Sequence, residues 1–213
     1  MTTLPLHKIK RVAVLGSGVM GSRIACHLAQ TGSEVLLLDL ATQDGPRNGI
    51  AAGHLKTALK SNPSPIYSKR YAKRIETGNF DDDLERLGEC DWIIEVIVER
   101  LDIKQQLFER IEAVRKPGTF ITSNTSGIPI GQLSAGRSED FQQHFCGTHF
   151  FNPPRYLPLL EIIPGPQTKP EILDFFARYG ERILGKQAVL CKDTPAFIAN
   201  RVGVFAIQAL FHT

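Results

Sequence analysis

A strand-to-helix turn with three glycines, GSGVMG at residues 16–21, constrains the fold of this chain more than any other feature of its sequence. It follows the apolar run Arg11–Leu15, which predicts a buried strand, and it opens residues 19–31, whose apolar side chains recur at helical spacing. In such a unit the first glycine permits a tight turn, the second lets the backbone approach a bound group, and the third lets the helix pack against the strand. Residues 11–31 therefore predict a β-α unit with a binding turn at its centre.

Strand-like and helix-like segments then alternate along the chain. Apolar, strand-like runs occupy residues 34–39, 92–98, 119–123, 145–151, 159–163 and 188–191, and helical patterns occupy residues 101–115 and 170–184. This alternation predicts an α/β fold of the Rossmann type, a doubly wound, mostly parallel sheet with helices on both faces.

The composition narrows the classes of protein and of site. A net charge of +3 without a long block of Lys or Arg argues against nucleic-acid binding. No run approaches the roughly 20 apolar residues of a membrane span, and no secretory signal is recognisable. The cysteines are far apart and flanked by apolar residues, which predicts buried free thiols, no metal site and a reducing, cytoplasmic location. They are Cys26, Cys90, Cys146 and Cys191.

The glycine turn and Asp39 together predict a dinucleotide site. The first turn of a helix offers unpaired N–H groups and a partial positive charge to phosphates. Asp39 ends the second predicted strand, where its carboxylate can accept hydrogen bonds from both ribose hydroxyls and would repel a 2′-phosphate. No Arg or Lys follows before Arg47, so the pattern favours NAD over NADP. The alternative interpretation is an ordinary glycine turn with a surface carboxylate.

Three polar residues in the second half of the chain carry a candidate for chemistry. Ser126 ends the run SNTS at residues 123–126, at the carboxyl end of a predicted strand, where open α/β folds bind ligands; alone, the run could be a helix cap. His149 and Glu161 lie within apolar strands, and a buried carboxylate needs a partner. If these strands are neighbours, Glu161 can hold the His149 imidazole in one tautomer, which predicts an acid/base dyad. A histidine satisfied within the core is the alternative.

These segments resemble, in order and spacing, the successive signatures of the L-3-hydroxyacyl-CoA dehydrogenase family. They are the glycine turn, residues 123–126, HFFNP at 149–153, Glu161, CKDTP at 191–195 and NR at 200–201. The resemblance extends over nearly the whole chain and is closest to fatty-acid oxidation proteins in which the dehydrogenase precedes an enoyl-CoA hydratase domain. It implies NAD-dependent oxidation of (3S)-3-hydroxyacyl-CoA to 3-oxoacyl-CoA in fatty-acid β-oxidation.

The resemblance also implies catalytic roles. His149 matches the general base that takes the proton of the substrate hydroxyl. Glu161 matches the carboxylate that orients and supports this histidine, and Ser126 and Asn200 match the groups that hold the substrate oxygens.

For the cofactor, the resemblance implies a wider set of residues. Asn152 matches a residue near the nicotinamide, and Glu99 and Lys104 match a cofactor-contact segment. The alternative interpretation of Glu99 and Lys104 is ordinary strand-end and helix-surface charge. The implied cofactor-binding set is Gly16, Gly18, Val19, Met20, Gly21, Asp39, Glu99, Lys104, Ser126 and Asn152.

Residues 1–194 are expected to form the NAD-binding Rossmann domain. Within them, residues 45–83 are polar and interrupted by Pro63 and Pro65, which predicts an excursion of one or two helices projecting from the domain. No CoA contact is assigned there, because this segment does not align with the CoA-contacting helices of the family. Residues 195–213 predict the first helix of a truncated C-terminal helical domain, whose apolar face should either pack back on the domain or drive self-association.

Two other functions stay open at the level of sequence. A non-catalytic NAD-binding module, either a fragment or a relative of the lens lambda-crystallin kind, would keep the glycine turn without turnover; the joint presence of Ser126, His149, Glu161 and Asn200 argues against lost chemistry. A related β-hydroxyacid dehydrogenase using NAD(P) would rely on a lysine of its second domain instead of a His/Glu pair. Further domains of a longer polypeptide, a homo-oligomer and weak turnover by this portion alone are also expected.

Overall fold

An eight-stranded sheet forms the centre of the computed structural model, which describes residues 4–6 and 9–211. Its strands are β1 (Arg11–Leu15), β2 (Glu34–Asp39), β3 (Ile75–Asn79), β4 (Trp92–Glu95), β5 (Phe120–Ser123), β6 (Phe145–Phe150), β7 (Leu159–Pro164) and β8 (Gln187–Leu190). The strand order is β3-β2-β1-β4-β5-β6-β7-β8, and β6 and β7 pair antiparallel whereas the other neighbours pair parallel. The prediction of a doubly wound, mostly parallel sheet is confirmed.

Helices cover both faces of the sheet. They are α1 (Val19–Gln30), α2 (Gly49–Lys60), α3 (Leu101–Val114), α4 (Ile130–Leu133), α5 (Glu139–Gln143), α6 (Pro170–Arg182) and α7 (Ala199–Phe211). Val12 and Val14 of β1 belong to the core formed with α1 and α6, whereas Ala13 and Leu15 belong to the core formed with α3, α4 and α5. This division follows from the strand itself, since successive side chains point to opposite faces.

Aromatic side chains fill the first of these cores. The ring of Phe176 on α6 lies 5.0 Å from that of Trp92 on β4 and 5.4 Å from that of Phe120 on β5. Phe175 and Tyr179, one helical turn apart, stack on each other at 5.6 Å. Helix α6 therefore covers one face of the sheet at β4 and β5.

The predicted helical excursion at residues 45–83 needs correction. Helix α2 lies within it and packs on α1, but Ile75–Asn79 forms β3, which pairs with β2 at the edge of the sheet. The segment IETGN escaped prediction because an edge strand buries few apolar side chains and tolerates polar ones. The chain here returns to the sheet and does not simply project from it.

Two other boundaries differ from expectation. The strand predicted over residues 92–98 ends at Glu95, because the side chain of Glu95 accepts a hydrogen bond from the backbone N–H of Ile97 at 2.8 Å and turns the chain out of the sheet. The last helix begins at Ala199, not near Pro195, because Ala196 and Phe197 adopt left-handed φ values of 63° and 48°. Phe197 packs back into the core, whereas residues 201–211 of α7 are exposed. Self-association through that face remains a prediction.

The four cysteines are buried and free, as their apolar flanks predict. Burial raises the pKa of the Cys26 thiol to about 12.

Within residues 4–6 and 9–211, no group of His, Cys, Asp or Glu side chains is arranged to hold a metal ion. Across the same residues, no helix combines the length and apolar character that crossing a membrane requires.

The aromatic core predicts how stability is distributed. Phe176→Ala should lower the free energy of unfolding by about 3–5 kcal/mol, because it empties a fully packed position. Phe205→Ala, at a phenylalanine of α7 that is 72% exposed, should change it by less than about 0.5 kcal/mol. Urea denaturation followed by far-UV circular dichroism compares the two variants. Equal losses in both would contradict the assignment of the core.

Candidate active site

A cavity of about 1010 Å³ opens at the carboxyl ends of β1, β2, β4 and β5. The glycine turn forms one wall and the connection from β4 to α3 forms another. Of the residues proposed from sequence, those that line it are Gly16, Gly18, Val19, Met20, Asp39, Glu99 and Ser126. A cavity at this edge of a doubly wound sheet is where such folds bind nucleotides.

The glycines of the turn are there for different reasons. Gly16 has φ of +99°, and a Cβ on it would lie 2.6 Å from the carbonyl oxygen of Val96. A Cβ on Gly21 would lie 1.8 Å from the carbonyl oxygen of Gly16, so a side chain cannot fit between α1 and β1. Gly18, in contrast, has no heavy atom within 4 Å of its Cβ position, and it lines the cavity. The space that a side chain at residue 18 would fill is thus left open to a bound group.

Helix α1 presents its N-terminus to this open space. Its N-cap residue is Gly18, and no side chain caps the first turn. The backbone N–H groups at the start of α1 are therefore available to an anion, and the helix dipole favours one. These features fit the pyrophosphate of a dinucleotide.

Asp39 is fixed beside the turn by its own hydrogen bonds. Its Oδ2 accepts from the Ser17 backbone N–H at 2.7 Å and from the Ser17 hydroxyl at 2.5 Å, and its Oδ1 accepts from the Leu40 N–H at 2.8 Å. His54 of α2 places Nδ1 2.8 Å from the same Ser17 hydroxyl and also lines the cavity. No sequence pattern predicted a role for His54, which lies in the segment interpreted as a helical excursion.

A buried ion pair supports the opposite wall of the cavity. The Nζ of Lys104 lies 2.5 Å from Oε1 of Glu95, and these two side chains are 1% and 0% exposed. Lys104 also lies 3.2 Å from Oε2 of Glu99, which is 44% exposed and lines the cavity. Lys104 is therefore neither helix-surface charge nor a lining residue of the cavity, but lies directly behind Glu99. Burial raises the pKa of Glu95, and the Lys104 ammonium opposes this shift.

Glu95 was not predicted as a functional residue, although its sequence context carries a signal. It is a carboxylate at the end of the apolar strand WIIE, the same anomaly that singles out Glu161. Its Oε2 accepts a hydrogen bond from the Ser123 hydroxyl at 2.5 Å, and so joins β4 to β5.

Glu99 holds the loop that carries Ser126. Its Oε1 accepts hydrogen bonds from the Ser126 N–H at 2.8 Å, from the Gly127 N–H at 3.2 Å and from the Thr125 hydroxyl. The position of this loop consequently depends on the Glu99 carboxylate, which belongs to the β4–α3 connection. Lys104 in turn fixes that carboxylate.

The predicted pairing of His149 with Glu161 is present in the structure. The two residues lie directly opposite each other in β6 and β7, with His149 Nδ1 2.8 Å from Glu161 Oε2. Because a carboxylate can only accept, this contact places the imidazole hydrogen on Nδ1. The other ring nitrogen, Nε2, faces the Ser126 hydroxyl at 3.2 Å.

Two aromatic rings flank the His149 imidazole. The Phe151 ring lies 4.4 Å away and the Phe197 ring 5.8 Å away. Phe197 was not expected beside His149, because it follows β8 and no local pattern connects the two residues.

The remaining two proposed residues are placed differently. Asn200, in the first turn of α7, donates from Nδ2 to the carbonyl oxygen of Ser126 at 3.3 Å, so it joins the group around His149. Asn152 is exposed and precedes Pro153 through a cis peptide bond; it does not line the cavity.

The loop that joins β6 to β7 is held by a buried lysine. Lys186 is 5% exposed, and its Nζ donates to the carbonyl oxygens of Leu157, at 2.8 Å, and of Pro154. Burial lowers the pKa of Lys186 to about 8. These contacts fix the return of the chain that brings Glu161 opposite His149.

Most of the chain matches one family of known proteins. Residues 11–194 match the family model described as 3-hydroxyacyl-CoA dehydrogenase, NAD binding domain. The chain belongs to this family. The cofactor of the matched domain is NAD, which the glycine turn, the N-terminus of α1 and Asp39 fit in geometry.

Individual relatives are longer than this chain. A probable 3-hydroxyacyl-CoA dehydrogenase of Deinococcus radiodurans is 49% identical over 207 residues, which are 96% of this chain and 60% of the relative. A putative fatty acid oxidation complex trifunctional enzyme of Rickettsia felis is 41% identical over 203 residues, 95% of this chain and 28% of the relative. The crystal structure of (S)-3-hydroxybutyryl-CoA dehydrogenase from Ralstonia eutropha superposes with a TM-score of 0.78 at 28% identity, covering 95% of this chain and 70% of that one.

Two glycines of the turn in this member of the dehydrogenase family, Gly18 and Gly21, should respond differently to substitution by alanine. Gly21→Ala forces a methyl group onto the Gly16 carbonyl and should cost about 1–3 kcal/mol of stability or more. Gly18→Ala meets no protein atom, so its stability should stay within about 1 kcal/mol of the wild type while the affinity for NAD falls. Urea denaturation and NAD titration separate the two effects. A Gly18→Ala variant that binds NAD normally would show that nothing approaches this side of the turn.

Proposed function

We propose that this chain is the cofactor-binding and base-bearing part of an NAD-dependent L-3-hydroxyacyl-CoA dehydrogenase. The reaction is the oxidation of (3S)-3-hydroxyacyl-CoA to 3-oxoacyl-CoA in fatty-acid β-oxidation. The observation that carries the proposal is the dyad of His149 and Glu161, whose free Nε2 faces Ser126 at the rim of the cavity beside the glycine turn. A module that only bound NAD would not require a buried, oriented imidazole at that place.

The residues around His149 have separate proposed roles at the substrate hydroxyl. The glycine turn and Asp39 would hold NAD, which would supply the acceptor for the hydride from C3 of the substrate. His149 Nε2 takes the hydroxyl proton, and Glu161 stabilises the imidazolium that forms. The Ser126 hydroxyl and the Asn200 amide hold the substrate oxygen near Nε2. The carbon–oxygen double bond forms from the electron pair of the broken O–H bond.

The glycine turn and Asp39 are the proposed cofactor contacts on the other side of the cavity. Gly16, Gly18 and Gly21 shape the turn, and the backbone of Val19 and Met20 would hold the pyrophosphate. Asp39 would accept hydrogen bonds from the adenosine ribose.

On the β4–α3 wall, Glu99 would contact the cofactor directly, and Ser126 would do so from the loop after β5. Lys104 supports this contact from behind Glu99, and Asn152 would approach the nicotinamide from the loop after β6. The buried position of Lys104 is the reason for assigning it an indirect part.

We propose the activity for a longer polypeptide that contains this chain. The chain spans 28% to 60% of the length of the relatives described above. A further helical domain would supply partners for the exposed apolar residues of α7, and a homo-oligomer is part of the same proposal. The buried free thiols support a reducing, cytoplasmic location.

Cofactor preference tests the assignment of Asp39. The chain should bind NAD more tightly than NADP, and Asp39→Ala should weaken NAD binding about 10- to 100-fold, because a charge-assisted hydrogen bond to the ribose is lost. Glu34→Ala, at the opposite and exposed end of β2, is the matched control and should change neither affinity. Fluorescence titration with both cofactors gives the result. Equal affinity of the wild type for NADP would contradict the assignment.

Turnover tests the dyad. In the full polypeptide, His149→Gln should lower kcat for NADH-linked reduction of acetoacetyl-CoA about 100- to 10,000-fold, the usual contribution of a general acid/base. NAD affinity should stay within about twofold, because the glycine turn and Asp39 are untouched. The double variant with Glu161→Gln should be little worse than His149→Gln alone, since residues that act as a unit are not additive.

The control for this experiment is His144→Gln, at a histidine that bonds the Asp140 carbonyl outside the cavity. It should keep kcat unchanged. Near-normal turnover by His149→Gln would make His149 a core residue and remove the dyad from the mechanism.

A further inference from the structure

Glu161 has a second set of partners that the dyad does not use. Its Oε2 faces His149, while its Oε1 accepts hydrogen bonds from the backbone N–H groups of Ile198 at 3.0 Å and Ala199 at 2.8 Å. These two N–H groups stand at the start of α7, where a helix has no intrahelical acceptor for them. A carboxylate at this end is also favoured by the helix dipole.

The backbone of the segment that leads into α7 adopts a conformation that its residues do not favour. Ala196 and Phe197 have φ of 63° and 48°, the left-handed region that non-glycine residues rarely adopt. The side chain of Phe197 is 2% exposed and lies against the His149 ring. Contacts outside the segment must therefore maintain it, and they include the burial of Phe197, the two hydrogen bonds to Glu161 and the bond from Asn200 to Ser126.

The rest of α7 contributes little to its placement. Residues 201–211 are exposed, so the helix is attached to the domain through its first turn. Asn200 belongs to that turn, and its Nδ2 reaches the carbonyl oxygen of Ser126 at 3.3 Å. The position of Asn200 relative to Ser126 thus depends on what fixes Ile198 and Ala199.

We propose that Glu161 is the positioning residue for Asn200 as well as for His149: one carboxylate oxygen orients the imidazole, and the other fixes the first turn of α7. The part of this inference that concerns catalysis rests on the proposed dehydrogenase function. The part that concerns the anchoring of α7 does not, because it follows from the contacts of a single side chain.

The two roles predict different kinetic signatures. Loss of His149 removes the base and should lower kcat with little change in KM. Loss of the Glu161 charge should lower kcat through the imidazole and also raise KM, because Asn200 no longer presents its amide to the substrate oxygen.

A variant that leaves the carboxylate intact separates anchoring from the dyad. Ala199 is the first residue of α7, a position where proline fits helix geometry and lacks only the N–H group. Ala199→Pro therefore removes one of the two bonds to Oε1 without touching Glu161 or His149. Ala199→Gly keeps the N–H and is its matched control.

Amide hydrogen exchange, measured by NMR on this chain, tests whether Glu161 anchors the first turn of α7 and does not depend on turnover. Glu161→Gln should accelerate exchange at Ile198 and Ala199 about tenfold or more, because hydrogen bonds to a neutral amide are weaker than those to a carboxylate. Ala199→Pro should accelerate exchange at Ile198, while His149→Gln and Ala199→Gly should leave the measured amides within about twofold of the wild type.

Kinetics in the full polypeptide complete the test. Ala199→Pro should raise KM for acetoacetyl-CoA several-fold and leave kcat far closer to the wild-type value than His149→Gln does. Unchanged exchange in Glu161→Gln, or unchanged exchange and KM in Ala199→Pro, would overturn the proposal. If the wild type does not turn over the substrate, the proposed function fails, and the exchange rates still decide whether Glu161 anchors α7.

Discussion

A carboxylate withdrawn from water has to find its hydrogen bonds inside the protein, and the functional end of this sheet is built around two such groups. Glu95 and Glu161 are both fully buried. Glu95 is satisfied by the Lys104 ammonium, the Ser123 hydroxyl and the Ile97 N–H. Glu161 is satisfied by the His149 imidazole and by the amides that open α7. Glu95 therefore joins β4 to α3 and β5, and Glu161 joins β7 to β6 and to the start of α7.

Glu95 and Glu161 position residues on opposite sides of Ser126. Glu95, through Lys104 and Glu99, fixes the loop that carries Ser126 from the cofactor side. Glu161 fixes His149 and the turn that carries Asn200 from the other side. Ser126 lies where the two sets of contacts meet, and its hydroxyl and carbonyl each have a partner from the Glu161 side. The geometry around one exposed serine is thus determined from two buried centres.

Sequence reasoning was successful where a local pattern carries the physical requirement. The glycine turn predicted β1 and α1 closely, because the close packing of Gly21 against the Gly16 carbonyl is a steric requirement within the turn itself. The anomaly of a carboxylate in an apolar strand predicted the contact of Glu161 with His149, since a buried charge implies a partner. The polar strand β3, the residue His54 and the ring of Phe197 escaped prediction. Their placement depends on an edge position or on distant packing, neither of which leaves a periodic signal.

The ion pair of Glu95 and Lys104 has a consequence for which substitutions these two positions tolerate. With both charges buried, replacing Lys104 alone leaves the Glu95 carboxylate in the core without its counter-charge, at a cost of several kcal/mol. Replacing Glu95 alone leaves Lys104 with Glu99, 3.2 Å away, as its remaining carboxylate partner. Replacing both residues by apolar side chains of similar volume would cost less than removing one partner, so the residue that one position tolerates depends on the residue at the other.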